Sequence, residues 1–202
     1  MGSGGTRGNR GNRVHEVRGN GEVERELADL RERVAQLEQR CADLDRLAHC
    51  DTLVPLSNRR GFLRQLELTI ARFQRYGDPA AVLFIDLDGL KLLNDGFGHS
   101  AGDSALIRVA ALLSGGVRQS DCVGRLGGDE FAVLLDRADA ASAQETAARL
   151  VDTIAAEDFF VEGKPVPLSV AIGFTLIEAG DTPALVLVRA DQAMYQGKAA
   201  AA

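Results

Sequence analysis

Two pairs of carboxylates have the type and spacing to do chemistry together. Asp86 and Asp88 stand two residues apart, directly after the apolar run Ala80-Ala81-Val82-Leu83-Phe84-Ile85. Asp129 and Glu130 are adjacent and follow Gly127-Gly128. The apolar run reads as a central strand covered on both faces. The glycine pair lies between Cys122-Val123 and Phe131-Ala132-Val133-Leu134-Leu135 and reads as a hairpin tip, because glycine accepts the positive φ of tight turns. If the two strands are neighbours in one sheet, the carboxylates converge and repel unless a cation lies between them. Hard divalent ions with oxygen ligands are the natural occupants, and Mg²⁺ that also binds a substrate phosphate is the commonest case. An isolated Asp-x-Asp is more often a solvated loop, so the inference rests on the combination.

The elements needed to hold these residues are legible along the chain. Pro55 ends one helix, and Ser57 or Asn58 can cap the next. That next helix carries Phe62, Leu63, Leu66, Ile70 and Phe73 on one face and ends near Gly77. Further helices are predicted from about Ala101 to Arg118, Ala140 to Ala156 and Pro183 to Gly197, with strands at Phe159–Val161 and Leu168–Leu176. Strands and helices alternate, with one hairpin inserted. The fold class is therefore α/β or α+β, a sheet with helical cover.

Ahead of this domain, apolar residues recur at Val23, Leu27, Leu30, Val34, Leu37, Cys41, Leu44 and Ala48, alternately four and three apart. This is a heptad seam. With Leu27, Val34 and Cys41 at a, the g positions are Glu26, Arg33 and Arg40, and the e positions are Arg31, Glu38 and Asp45. In a parallel, in-register dimer the pairs Glu26–Arg31, Arg33–Glu38 and Arg40–Asp45 are all attractive. Residues 22–50 are thus predicted to form a parallel dimeric coiled coil, so the chain should be a homodimer. Residues 1–21, rich in Gly, Arg and Asn, read as a disordered or expression-derived tail, and residues 51–202 as the folded domain.

Composition narrows the function classes. The net charge of −6 over 202 residues argues against a nucleic-acid-binding surface. No apolar run approaches the roughly twenty residues of a membrane helix, and the N-terminus lacks a secretory block, so no membrane partner is expected. Cys41, Cys50 and Cys122 lack metal-ligand spacing, suit a reducing cytoplasm, and read as buried small hydrophobes.

From about residue 51 to 198 the sequence resembles the GGDEF family of diguanylate cyclases. The resemblance is carried by Phe84-Ile85-Asp86-Leu87-Asp88, Lys91, Asn94-Asp95, Gly98-His99 and Gly102-Asp103. Arg125-Leu126-Gly127-Gly128-Asp129-Glu130-Phe131, Ser169-Val170-Ala171-Ile172-Gly173 and Ala190-Asp191-Gln192-Ala193-Met194-Tyr195-Gln196-Gly197-Lys198 continue it in the family's order. The resemblance implies an α/β (α+β) nucleotidyl-cyclase-like fold, a central, mostly antiparallel sheet covered by helices, in the bacterial cytoplasm, and the condensation of two GTP into cyclic di-GMP, each domain of a dimer binding one GTP. It implies two Mg²⁺ ions per half-site, with Mn²⁺ as a substitute, held by Asp86, Asp129 and the carbonyl of Leu87. Asp129, Glu130 and Lys91 are the implied catalytic residues, Asp129 helping to deprotonate the attacking hydroxyl. Lys91 stabilises charge on the phosphoryl group. Gly127 and Gly128 admit the phosphates, and Lys198 is a further substrate contact. Asp103 suits the paired N–H donors of guanine, and Asn94 the neighbouring edge. Phe131 reads as a core anchor, and Gly98 and His99 as structural.

Arg118-Gln119-Ser120-Asp121 lies at the family's product-inhibition offset before Gly127, and Arg149 is placed to add a second guanidinium. The sequence departs from the family pattern at Val54-Pro55, in place of Thr-Gly, and at Leu90, in place of an aromatic. After Lys198 it has Ala199 to Ala202 instead of Gly-Arg-Asn, with weaker GTP binding expected from the missing Arg. A silent receptor for cyclic di-GMP or GTP is the competing reading. Such receptors usually lose the metal carboxylates, which are retained here.

Overall fold

The computed structural model describes Met1 and residues 11–201. The chain divides into two compact units, Met1–Arg46 and Leu47–Ala202.

Helix α1, Gly11–His49, runs 39 residues. It begins ahead of the predicted coiled coil, so residues 11–21 extend a helix instead of forming a tail; the rest of that predicted tail lies outside the described residues, apart from Met1. Adding residues to a formed helix costs far less than nucleating one, which explains how a glycine-bearing segment joins it. On α1 the seam residues Leu27, Leu30, Val34, Leu37 and Leu44 are between 46 % and 66 % exposed. Cys41 and Cys50 are also exposed, and Cys122 is half-buried. The expectation of three buried thiols is therefore wrong: two of them sit in or beside the helix whose apolar stripe is uncovered in a single chain.

In the second unit, β1 (Ser57–Asn58) leads into α2 (Arg59–Tyr76), then β2 (Ala80–Leu87), α3 (Leu90–Phe97) and α4 (His99–Gly115). The hairpin β3 (Cys122–Gly127) and β4 (Glu130–Asp136) follows, then α5 (Ala140–Ala155). A small pair, β5 (Phe160–Val161) and β6 (Lys164–Pro165), precedes β7 (Val170–Leu176) and α6 (Pro183–Ala201). The main sheet has the order β1-β3-β4-β2-β7. All its pairings are antiparallel except β1 with β3.

β2 lies between β4 and β7, and its alternating residues serve two cores. Ala81, Leu83 and Ile85 pack with Leu106, Val109 and Leu113 of α4 and Leu150 and Ile154 of α5. Val82 and Phe84 pack with Phe62, Leu66 and Ile70 of α2 and Val186, Leu187, Ala190 and Met194 of α6. Burial on both faces is why the strand is apolar without interruption. The same alternation turns Asp86 and Asp88 toward the α2 and α6 side, while Leu87 is buried on the other. Helix α6 lies unusually close to β7: a Cβ on Gly173 would come within 2.0 Å of the Met194 nitrogen.

Asn58 joins two elements. Its Oδ1 accepts from the Gly61 N–H at 2.9 Å as the N-cap of α2, and its Nδ2 donates to the carbonyls of Ala48 and Cys50. Three elements escaped the sequence reading, β6 (Lys164–Pro165) among them. At eight residues α3 is too short to show helical periodicity, and β1 is only two residues long. Helix α4 stops at Gly115-Gly116 instead of running to Arg118, which leaves Arg118 on a turn.

Candidate active site

The register of the sheet assembles the site. Asp86 on β2 is the direct partner of Glu130 on β4 and of Ala171 on β7. Directly opposed residues of an antiparallel pair point to the same face, so the Asp86 and Glu130 side chains share one face of the sheet, with Glu130 Oε2 3.5 Å from where a Cβ on Gly127 would stand. The ladder continues past the strand ends: the Leu87 N–H donates to the Asp129 carbonyl at 3.1 Å and the Asp88 N–H to the Ser169 carbonyl at 2.9 Å. Asp129 is itself a turn residue, with Gly128, because Gly127 pairs with Glu130 across the tip. The glycine pair thus contributes one strand end and one turn residue, Gly128 at φ 26°. The register slips between Arg125 and Gly127, the extra residue that tightens the hairpin's end. Phe131 beneath the tip is fully buried.

A guanidinium holds that tip. Arg125 donates from Nε and Nη2 to the Gly128 carbonyl, at 3.0 and 2.7 Å, and from Nη1 to Asp51 at 3.2 Å. Asp51 also accepts from the N–H groups of Leu53 and Val54. Burial pushes the Asp51 carboxyl up, but the two backbone donors and Arg125 outweigh it and hold the group below its usual range. Arg125 lies in the quoted motif, yet its role was not legible there, because its partner is far away in sequence.

A cation already sits among the carboxylates. Lys198, reaching from α6, bonds Asp86 and lies 2.9 Å from Asp88. Asp88 in turn accepts from the Ser169 hydroxyl at 3.0 Å. Burial lowers the Lys198 ammonium, but its bonds to Asp86 and Asp88 prevail and raise it above its ordinary range. Among the described residues no three carboxylate, imidazole or thiol groups form a ready-made metal cage. The donor set still fits a hard divalent ion: it consists of oxygens, it carries opposed like charges, and a cation neutralises it in the resting chain.

The predicted base readers lie on the α3–α4 pair. Gly102 packs against Asn94 so closely that a Cβ there would come within 2.1 Å of Asn94 Oδ1. That oxygen is buried and without a hydrogen-bond donor. Asp103, the next residue, is exposed, as is Lys91 in the first turn of α3. His99 is exposed at the start of α4 and makes no side-chain cap.

Arg118, Asp121 and Arg149 are brought together elsewhere. They line a cavity of about 350 Å³ with Arg137, Asp136 and Glu145. Asp121 closes its own turn by accepting from the Arg118 N–H at 2.9 Å, and it accepts from the Asp136 N–H at 3.1 Å. Arg149 donates to the Gly116 carbonyl at 2.7 Å. Asp136 ends the strand that Glu130 begins, so this cavity and the carboxylate cluster lie at opposite ends of β4.

Known proteins resemble the chain over the same region. A family model for the diguanylate cyclase GGDEF domain matches residues 48–202. Diguanylate cyclase TpbB of Pseudomonas aeruginosa is 41 % identical over 174 residues, which cover 85 % of this chain and 40 % of TpbB. The chain therefore spans well under half the length of that relative. Among solved structures, the coiled coil and GGDEF domain of DgcB from Caulobacter crescentus, in complex with c-di-GMP, aligns with a TM-score of 0.82 at 26 % identity, over 88 % of this chain and 95 % of that one. Diguanylate cyclase SiaD from Pseudomonas aeruginosa, in complex with its activator SiaC, aligns with a TM-score of 0.74 at 28 % identity, over 94 % of this chain and 74 % of that one.

Proposed function

The chain belongs to the GGDEF-domain family of diguanylate cyclases, and we propose on that footing that it condenses two GTP into cyclic di-GMP and two pyrophosphates as a homodimer. The observation that carries this reading is the Asp86–Glu130 pair, in direct register across β2 and β4 beside the Asp129 turn, whose carbonyl accepts from the Leu87 N–H. In each half-reaction the 3′-hydroxyl of one GTP attacks the α-phosphorus of the other. A phosphorus–oxygen bond forms, the bond to the β-phosphate bridge breaks, pyrophosphate leaves, and the hydroxyl proton is lost.

The chain's residues have separate tasks in this scheme. Asp86, Asp129 and the Leu87 carbonyl would hold divalent ions, Mg²⁺ or Mn²⁺, two per half-site. When bound, these ions supply charge neutralisation on the phosphates and acidify the attacking hydroxyl. Asp129 takes the hydroxyl proton, with Glu130 beside it. Lys91 and Lys198 offer ammonium groups to the polyphosphate, and the bare Gly127-Gly128 backbone lets it approach. Asn94, whose buried oxygen needs a donor, and Asp103 accept from the guanine N–H groups. Adenine would leave those acceptors unpaired.

One domain binds one GTP, so a second copy is required. The uncovered apolar seam of α1, flanked by charges that attract in a parallel pair, supports a coiled-coil dimer. Arg118, Asp121 and Arg149, around their cavity, form the site where product binds and inhibits.

Incubation with GTP and Mg²⁺, following cyclic di-GMP and pyrophosphate, tests the reading. Glu130→Gln and Asp86→Asn are each expected to lower turnover about a hundredfold or more. Absence of product from a dimeric, GTP-bound sample overturns it.

A further inference from the structure

Lys198 is the last ion-pairing residue of α6, and its ammonium is seated between the two carboxylates at the end of β2. Asp86 is the ladder partner of Glu130, so two acidic residues share one face at this end of the sheet, and an opposite charge there relieves their like charge. Asp88 has a different setting. It lies one residue past β2 and is anchored twice to Ser169, through its backbone N–H and its carboxylate. The two partners of Lys198 are therefore unlike: one is the ladder partner of a second acidic residue, and the other is fastened to the loop before β7. We propose that Lys198 is a tethered counter-ion that competes with the divalent ion for Asp86, and that Asp88, positioned by Ser169, is the berth that keeps the ammonium at the site after the ion displaces it. This inference rests on the reading that Asp86 holds a divalent ion.

The physical argument is one of exclusion and reach. An ammonium in hydrogen-bonding contact with Asp86 leaves no room for an ion on the same oxygen. Releasing it entirely would return a hydrated cation to solvent, whereas Asp88 offers a second partner at 2.9 Å without movement of the helix. Metal entry would then move the ammonium from a bridging to a single-sided position, beside the space the polyphosphate enters. Asp88 is on this view a positioning residue acting through Lys198.

Mn²⁺ binding to the full chain without nucleotide, read from the free-ion signal in electron paramagnetic resonance, tests the exchange independently of turnover. Lys198→Met and Lys198→Gln are expected to bind Mn²⁺ about fivefold more tightly than the unsubstituted chain, the scale of one partly exposed ion pair. Lys164→Met makes the same change of charge on another element and is expected to leave Mn²⁺ affinity unchanged. Asp86→Asn is expected to lose Mn²⁺ binding at least tenfold. The inference is overturned if both Lys198 variants bind Mn²⁺ no more tightly than the unsubstituted chain, or if Lys164→Met tightens binding equally. Unchanged Mn²⁺ affinity in Asp86→Asn instead removes the metal reading on which the inference stands, so the two failures are distinct.

Discussion

Asp51 and Arg125 meet at 3.2 Å although seventy-four positions separate them in the chain. Through this pair the turn that follows α1 is tied to the tip of the β3–β4 hairpin, because the same guanidinium grips the Gly128 carbonyl twice. Arg125→Ala is expected to cost about 2 kcal/mol of domain stability, as hydrogen bonds to charged groups do. It should also lower kcat more than it raises KM for GTP, since the tip loses its position and not its ligands. Arg125→Lys is expected not to restore kcat, because an ammonium cannot reproduce the fork. Steady-state kinetics with a urea denaturation curve for each variant check both statements.

The cavity at the far end of β4 lies away from the carboxylate cluster, so the proposed inhibition and turnover should respond to different substitutions. Arg118→Ala is expected to raise the cyclic di-GMP concentration for half-inhibition at least tenfold with initial velocity preserved, since the Arg118 side chain contacts neither Asp86 nor Glu130. Progress curves with added product measure this, and unchanged inhibition would remove Arg118 from the inhibitory site.

Dimerisation should depend on the seam of α1. Leu30→Asp with Leu37→Asp is expected to yield a monomer in sedimentation at micromolar concentration. Its specific activity should then climb with protein concentration, where the unsubstituted dimer's stays flat.

Asp181 and Arg189 predict a pH dependence of stability. Asp181 is 8 % exposed and bonds the guanidinium at 2.6 and 2.8 Å. The bond to Arg189 outweighs burial and lowers its carboxyl from the ordinary range. A lowered carboxyl contributes stability that is complete above its unfolded value, near 4, and lost as pH falls through the folded one. Asp181→Asn should therefore cost about 2 kcal/mol at pH 7, where the partly buried Arg189 is left with only the more distant Glu178 carboxylate, at 4.0 Å. The difference between the two proteins should shrink as the pH is taken below about 4. Urea unfolding at several pH values tests the trend.

Local patterns made part of this molecule readable from sequence. The apolar run before Asp86, the glycines before Asp129-Glu130 and the heptads of α1 each declare themselves within a short window, because period and turn chemistry are local. The partners of Arg125 and Asp88 do not. Asp51 and Ser169 are brought in by the turn after α1 and by β7, and their roles exist only once the sheet is ordered. Helix α3 failed for lack of length. The cysteines failed because thiol burial was inferred from residue type, while Cys41 and Cys50 follow the exposure of the helix that carries them and its end.

The close seating of Met194 on Gly173 sets a clock for the site. With backbone packed on backbone four residues before Lys198, helix α6 has no slack to slide along β7, so the ammonium can travel only through its own side-chain rotations. Such rotations take picoseconds to nanoseconds, whereas pairing of two loaded domains is a collective motion of microseconds or longer. In the proposed dimer the charge at the site is thus rearranged long before the second half arrives, and the tempo of the proposed synthesis belongs to the encounter.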